Sequence, residues 1–335
     1  MGICWSWLRE LICHFLDSHL MILMWAVSGA LVMLYNFHSS IYLIERLVRC
    51  HNEEESEESD TDNEGYISDA DPSTGLDYGA VNGPHAWQTA LNNQSPINID
   101  TQQAEQMYIS LSLMWIGYEV PPMGIRLENN GHSLLVRACF DGNPPFVDGA
   151  DLLSSFQFHE ISFRWSWHDD GAGSEHSFNN VHFPLEMQCV HTRCGQGQEV
   201  SSRSVLVISY MFAIAAENPY LDVIAQYLVA VQRAGQCVEI PPFPLNYLMP
   251  PFFTGFYSYH GSLTEPPCHR GAEWFINPLP LAISERQLHE FRKLRSRSGS
   301  RISRNARPVQ ELGERTVKFN IFSPLYQGGS VYMRD

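Results

Sequence analysis

Three polar side chains stand inside an otherwise aromatic stretch, Phe163–His191 (FRWSWHDDGAGSEHSFNNVHFPLEMQCVH). They are Arg164, Ser166 and Gln188. In an extended strand successive side chains alternate faces. Phe163, Trp165 and Trp167 therefore share one face, and Arg164, Ser166 and His168 share the other. Further on, Glu186, Gln188 and Val190 share a face. If the two strands are neighbours, a guanidinium, a hydroxyl and an amide line one pocket. These groups can hydrogen-bond, and Arg164 adds a fixed positive charge. They suit a metal ion poorly, because a guanidinium has no acceptor to offer and repels cations. Neutral Ser and Gln oxygens are weak zinc-type donors beside imidazole. Four histidines lie close in sequence: His159, His168, His176 and His191. His159 precedes Arg164 by five residues, so a regular strand puts it on the opposite face. All four read as core or surface histidines with ordinary hydrogen-bond partners.

Positioning such a pocket needs strands, and the C-terminal three-quarters of the chain is rich in them. Short β-type stretches recur at Ile109–Leu113, Ser133–Arg137, Ser154–Trp167, Leu185–His191, Ser204–Ala213, Gly255–Tyr259, Glu273–Ile276 and Lys318–Phe322. Gly, Pro and Asn punctuate them. Helical patterns are few: Pro219–Val231, and Ser284–Leu294 with Ser284 as its cap. The pattern predicts a β-dominated α+β fold, one domain over 76–330 with peripheral helices and a short tail, 331–335. No internal repeat is present.

The 335 residues carry a net charge of -16, but the imbalance is local. Ten acidic residues and no Lys or Arg lie between Cys50 and Asp71. Residues 51–75 have too little apolar surface to fold against that repulsion and read as a disordered linker. Ser56, Ser59, Thr61 and Ser68 sit among these acids and are candidate phosphorylation sites. So acidic a chain argues against nucleic acid as a partner. Residues 1–50 read as a membrane-associated segment, with a cleaved signal peptide and a buried helix as the alternative readings of their apolar run. Its first turns are amphipathic, Met1-Gly2-Ile3-Cys4 loosely fits a lipidation signal, and residues 20–44 are apolar and uncharged. That run is long enough to cross a bilayer. Arg9 precedes it, and Arg46 and Arg49 follow. This balance leans by one charge toward a membrane-anchored protein with a cytoplasmic domain, secretion after cleavage being the alternative. Arg292–Arg307 (RKLRSRSGSRISRNAR) holds seven basic residues. It reads as an exposed loop, either solvated or closing on acidic phospholipid or on the acidic linker. The eight cysteines are too sparse for a disulfide scaffold and read as thiols.

Several segments from Tyr78 onward then fall into a recognisable order: DYGAVNGPHAW (77–87), QSPINID (94–100), NNGHSLLV (129–136), GSEH (173–176), GSLTEPPC (261–268) and NARPVQ (305–310). Together they resemble the α-class carbonic anhydrases. The resemblance implies a single domain around a large, mostly antiparallel central sheet, with a conical cavity reaching its middle. Active members hold Zn²⁺ on three histidines, two as His-x-His on one strand and the third on the next, and zinc-bound hydroxide attacks CO2. Here those positions match Arg164, Ser166 and Gln188, none of them a normal zinc ligand.

Much of the remaining site is implied to be vestigial. His132 matches the proton-shuttle histidine, and Tyr78 and Asn130 match residues that order water. Thr264 and Glu175 match the hydrogen-bonded pair that orients the hydroxide. Val190, Ile208, Leu263 and Trp274 match the apolar CO2 pocket, and Glu186 and Asn305 match outer partners of the ligand histidines. Glu265 and Leu135 depart from the pattern, one carboxylic and one apolar where the family differs. Carboxylates near a lost dication are costly unless paired, so Arg164 is expected to pair with one of them. Cys268 matches a cysteine that secreted members bridge to one near the domain start, and no cysteine lies between Asp71 and Ala138. The one sequon, Asn93-Gln94-Ser95, is followed by Pro96. Both features favour a reducing compartment.

The sequence thus predicts a catalytically inactive carbonic anhydrase-related protein with no zinc and no other cofactor. It would act as a binding or scaffolding module on an unidentified protein partner, attached to a membrane by its N-terminal segment. The alternatives are a lyase or residual hydrolase with a non-standard metal site, and a small-molecule binder using the apolar cavity wall.

Overall fold

Among the described residues the chain forms fifteen strands. They are β1 Asn98–Ile99, β2 Glu105–Ile109, β3 Met114–Ile116, β4 Gly124–Asn129, β5 Leu134–Cys139, β6 Phe146–Asp148, β7 Phe156–Trp165 and β8 Ser177–Phe178. Then follow β9 Leu185–Arg193, β10 Val205–Ile214, β11 Cys237–Ile240, β12 Gly255–Ser262, β13 Arg270–Ile276, β14 Leu281–Ile283 and β15 Lys318–Phe322. The computed structural model describes residues 78, 83–87, 92–109, 111–150, 152–167, 173–194, 205–252 and 254–322. The predicted anchor (20–44), acidic linker (51–75), tail (331–335) and His168 lie outside these residues. Among those described, no helix is long and apolar enough to cross a membrane.

Thirteen strands form one sheet, ordered along its main path β11-β4-β5-β7-β9-β10-β13-β12-β15-β2. Most pairings are antiparallel, as at β7–β9 and β9–β10; β10–β13, β10–β14 and β15–β2 are parallel. The sheet's two faces carry different cores. One buries Ile161, Phe163, Trp165, Met187, Cys189, Ile208 and Phe291; the other buries Val205, Val207, Tyr259, Trp274 and Ile276.

Among the described residues, two helices lie outside the sheet. Helix α1 (Pro219–Ala225) is capped by Asn218, and a separate 3-10 turn follows at Leu228–Val231. The sequence predicted one helix over both. Its buried residues are Leu221, Ile224 and Ala225, then Leu228 and Val231. The last two are three apart, the spacing of a 3-10 turn. Helix α2 (Glu285–Arg292) begins at Ser284 in a reciprocal capping box with Gln287, as its sequence signals. The strand predicted at Ile109–Leu113 falls instead at β2, ending on Ile109. β2 pairs only with β15, and its exposed edge position leaves no apolar alternation to read.

Candidate functional site

The strand register brings the polar residues together. Arg164 pairs with Glu186, and Ser162 with Gln188, across β7 and β9; Gln188 pairs with Ser209 across β9 and β10. Gly173 lets the GSEH turn lie against β9, since a Cβ there would come within 1.9 Å of the Pro184 carbonyl oxygen. Glu175 and His176 follow, and both backbone N–H groups donate to Glu186 Oε2, at 2.8 and 2.9 Å.

At the centre lies the guanidinium of Arg164, 3 % exposed. Its Nη2 donates to Glu265 Oε1 at 2.8 Å, and its Nη1 to Ser133 Oγ at 3.2 Å and Phe163 O at 3.3 Å. Its Nε stands 3.4 Å from Glu175 Oε1. That is close enough for charge attraction, but the N–H has no aligned hydrogen-bond acceptor. Asn305 clamps the strand on either side of Arg164. Its Oδ1 accepts from Trp165 N at 2.7 Å, and its Nδ2 donates to Phe163 O at 2.9 Å and His132 O at 2.8 Å.

The buried carboxylates are satisfied in different ways. Glu175 accepts from Gln188 Nε2 at 2.6 Å and from Arg307 N at 3.0 Å. Glu186 also accepts from His176 Nδ1, Gln188 Nε2 and Ser209 Oγ, at 2.9, 3.0 and 2.8 Å. Burial alone would raise the Glu186 carboxyl, but the His176 ring and these hydrogen bonds hold it below the usual range. Beyond it, His176 Nε2 meets Tyr259 Oη at 2.7 Å, and Tyr259 donates to Ser95 Oγ at 2.8 Å. Glu265 reaches His132 Nε2 at 3.7 Å on its far side. Burial opposes its ionisation, yet Arg164 and then His132 bring its carboxyl down to about 2. The same carboxylates, Glu175 foremost, outweigh the burial of Arg164 and keep it protonated.

The other predicted residues distribute as follows. His132 Nε2 lies 3.0 Å from Asn130 Nδ2, and its ring faces the Tyr78 ring at 6.5 Å. The Tyr78 hydroxyl is buried with no hydrogen-bond partner among the described residues, and burial raises its pKa. Ser166 is 2 % exposed and extends the row beyond β7, bridged to Arg304. Thr264 is buried, but among the described residues no hydrogen bond joins it to Glu175, whose oxygens are taken by Gln188 and the Arg307 N–H. Val190, Leu263 and Trp274 belong to one core, whereas Ile208 belongs to the other. Ile208 is therefore a correction. It stands opposite Cys189, and Val207, one residue earlier, is the one opposite Val190. A one-residue error in reading β10 exchanges the faces. His159 is exposed in a bulge at Phe158/Glu160, where strand parity fails. His191 is bonded to Tyr118 Oη at 2.7 Å and Cys189 O at 3.0 Å; burial lowers its pKa to about 4.

Sequence reasoning missed Ser209, Ser133 and Arg307. Ser209 was visible as the one small polar residue inside the run VLVISYMF. Arg307 lies in NARPVQ, and its Nη1 donates to Gln94 Oε1 and Ser95 O at 3.0 and 2.6 Å.

Residues 82–321 match the family model of the eukaryotic-type carbonic anhydrase. The chain belongs to the carbonic anhydrase family. It is 30% identical over 244 residues to the rat protein named carbonic anhydrase-related protein, spanning 67% of this chain and 82% of that one. It is 29% identical over 256 residues to putative carbonic anhydrase 5 of Caenorhabditis elegans, 73% and 81% of the two chains. Mouse carbonic anhydrase 1 is 29% identical over 255 residues, covering 72% of this chain and 96% of the mouse one.

Carbonic anhydrase chemistry implies a zinc ion, and the donor set at this centre does not fit one. A guanidinium has no lone pair for a metal and repels it. Gln188 turns its NH₂ toward Glu175 and Glu186, and those hydrogen bonds orient the amide. Among the described residues no three His, Cys, Asp or Glu side chains are grouped to hold a metal ion. What the arrangement can do is bind charge to charge: one cation, fixed on β7, facing two carboxylates.

Proposed function

We propose that this carbonic anhydrase family member is catalytically inactive and acts as a binding or scaffolding module for a protein partner. The observation that carries the reading is the Arg164 guanidinium, buried at the site centre with Glu175 and Glu265 as its counter-ions. In this reading Arg164, Ser166 and Gln188 stand at the three ligand positions, and the protein uses no zinc. His132, Glu175, Thr264 and Tyr78 are then remnants of the site. Val190, Leu263 and Trp274 are the remaining apolar wall, and Glu186 and Asn305 brace the strand around Arg164. The printed name of the rat relative, carbonic anhydrase-related protein, is consistent with it. The N-terminal run anchors the protein in a membrane, with the domain on the cytoplasmic side, and nucleic acid is not among its partners.

The test measures CO2 hydration and zinc content on one purified sample of the full chain. The expected result is no turnover above the uncatalysed rate and zinc well below one per chain. Stoichiometric zinc with turnover overturns the proposal and restores the enzyme reading. Proximity labelling in cells, with domain sidedness determined by protease protection, tests the partner and the location.

A further inference from the structure

The basic stretch Arg292–Arg307 is less uniform than its composition suggests. Arg307 is buried and bonded to the QSPINID segment. Arg292 closes α2 and donates to Ser166 O at 2.9 Å. Arg301 lies over the Trp167 ring, 4.5 Å from its centroid. What remains is a short hairpin, closed by a bridge between Arg295 and Arg301 and by Ser296 N donating to Ser300 O at 2.8 Å. Arg295 and Arg297 on this hairpin, with Arg233 after the 3-10 turn, line a concavity of about 450 Å³.

The two segments are tied together. Asn129, buried at the end of β4, donates to Val231 O, Gln232 O and Arg295 O at 3.1, 3.2 and 3.1 Å. Arg295 N donates to Gln232 O at 2.8 Å, and Arg295 Nη1 to Gly299 O at 2.9 Å. Gly131, at φ +97, leaves room for the Arg297 stem; a Cβ there would stand 2.7 Å from Arg297 Cγ. The arginines are thus held apart from one another on a braced frame.

Among the described residues, Arg233, Arg295 and Arg297 have no carboxylate partner within 4.0 Å, in contrast to Arg137, Arg164, Arg286 and Lys293. Other arginines, such as Arg270 and Arg315, also lack one, but these three are gathered on one concavity. We propose that this concavity binds a ligand carrying two or more phosphoryl groups. All three cations are arginines, whose planar forks match phosphate oxygens in pairs. Ser296 also lines the concavity and adds a hydroxyl, joined to those of Ser298 and Ser300 at 2.8 and 3.2 Å, which can turn to donate. The volume far exceeds a single water, which takes about 30 Å³, so more than one phosphoryl group fits. The same chemistry is offered by a soluble polyphosphate and by a phosphoinositide headgroup.

The experiment uses the full chain in detergent and titrates it calorimetrically with inorganic pyrophosphate and inositol hexakisphosphate. A second arm measures binding to phosphatidylcholine vesicles with and without phosphatidylinositol bisphosphate. Arg233→Gln and Arg297→Gln should each weaken binding about tenfold, the loss expected for a charge-assisted hydrogen bond. Arg270→Gln, outside the concavity, should leave it unchanged, and all variants should melt with the wild type. Soluble probes binding in this pattern identify a soluble ligand. Bisphosphate-dependent vesicle binding in the same pattern, with no soluble binding, identifies a lipid headgroup; either supports the proposal. Equal loss in Arg270→Gln, wild-type affinity in the triple Arg233/Arg295/Arg297→Gln variant, or binding to heparin but to no phosphate probe would overturn it.

Discussion

Replacing Arg164 by Met keeps the side-chain length and removes the charge at the centre of the site. Glu175 is fully buried and loses its only cation. Breaking a buried pair by removing one partner typically costs about 3–5 kcal/mol. Glu265 gives an independent measure. Its carboxyl sits at about 2 against an ordinary 4.5, a gap worth about 3 kcal/mol at full strength. The side chain is 31% exposed, so solvent screening reduces its share to about 1–2 kcal/mol. A total of about 4–7 kcal/mol lowers the melting temperature by about 8–28 °C for a domain of this size. The sign with pH is fixed by linkage. A carboxyl depressed in the folded state contributes stability that is present above pH 4.5 and is lost as pH falls toward 2. Without Arg164 the carboxyl returns upward, so the variant's deficit is greatest at pH 7 and narrows below pH 4.5. Thermal unfolding of wild type and Arg164→Met at pH 7, 5 and 4 reads this directly. Arg164→Met/Glu265→Gln should recover part of the loss at pH 7. A deficit independent of pH, or a double variant no better than the single one, would show that Arg164 acts by packing and not by charge.

Other outcomes follow from the same geometry. Asn305→Ala removes three hydrogen bonds around Arg164 and should cost about 2–4 kcal/mol in urea unfolding, whereas Ser209→Ala, losing one bond to Glu186, should cost about 1 kcal/mol. His191 is buried neutral with its pKa lowered to about 4. Its contribution is complete above pH 6.5 and falls by about 3 kcal/mol as pH drops to 4; His191→Phe should flatten that part of the stability curve. Arg164→His should leave zinc below stoichiometric by elemental analysis, because Gln188 stays bonded to Glu175 and Glu186. Prolonged chelation should leave the wild-type melting temperature within about 1 °C, where loss of a structural metal would lower it far more.

What could be read from the chain depended on whether one strand or several set the answer. β7, β9 and β10 were legible because each runs nine or ten residues, β7 and β9 with alternating polar and apolar residues and β10 as a continuous apolar run. Arg164 and Gln188 followed from that alternation as residues of one pocket; that both reach Glu175 is set by the GSEH turn, which alternation does not place. β4 was missed because I-R-L-E alternates too briefly between a Pro-Pro-Met-Gly turn and Asn-Asn-Gly. Ile208 was placed on the wrong face because every residue of VLVISYMF is apolar or hydrogen-bonded inside the sheet, so nothing local marks its phase. Arg307 and Ser209 were invisible as partners because their contacts, with Gln94 and Glu186, are fixed only when distant strands assemble.

The carboxylates explain why a polar centre persists in a site whose donors do not suit a metal. Glu186 accepts five hydrogen bonds and fixes the GSEH turn to β9. Replacing it would strand those donors, at about 1–3 kcal/mol for each left unsatisfied. Glu186 is thus held by architecture whatever the chemistry. Glu175 receives the Arg307 N–H and Gln188, so it is also tied to the fold, yet these neutral donors leave its charge uncompensated. Only a cation at the centre removes that cost, and Arg164 is the one positioned there. Glu265 then has a reason to be present: it gives the guanidinium a second, partly solvated acceptor, 2.8 Å away. Arg164 and Glu265 are therefore predicted to depend on each other. Changing Glu265 to Ala should destabilise wild type but relieve part of the deficit once Arg164 is Met, a coupling that a double-mutant cycle measures. Additive effects of the two substitutions would mean that Glu265 serves some purpose other than completing the charge at this site.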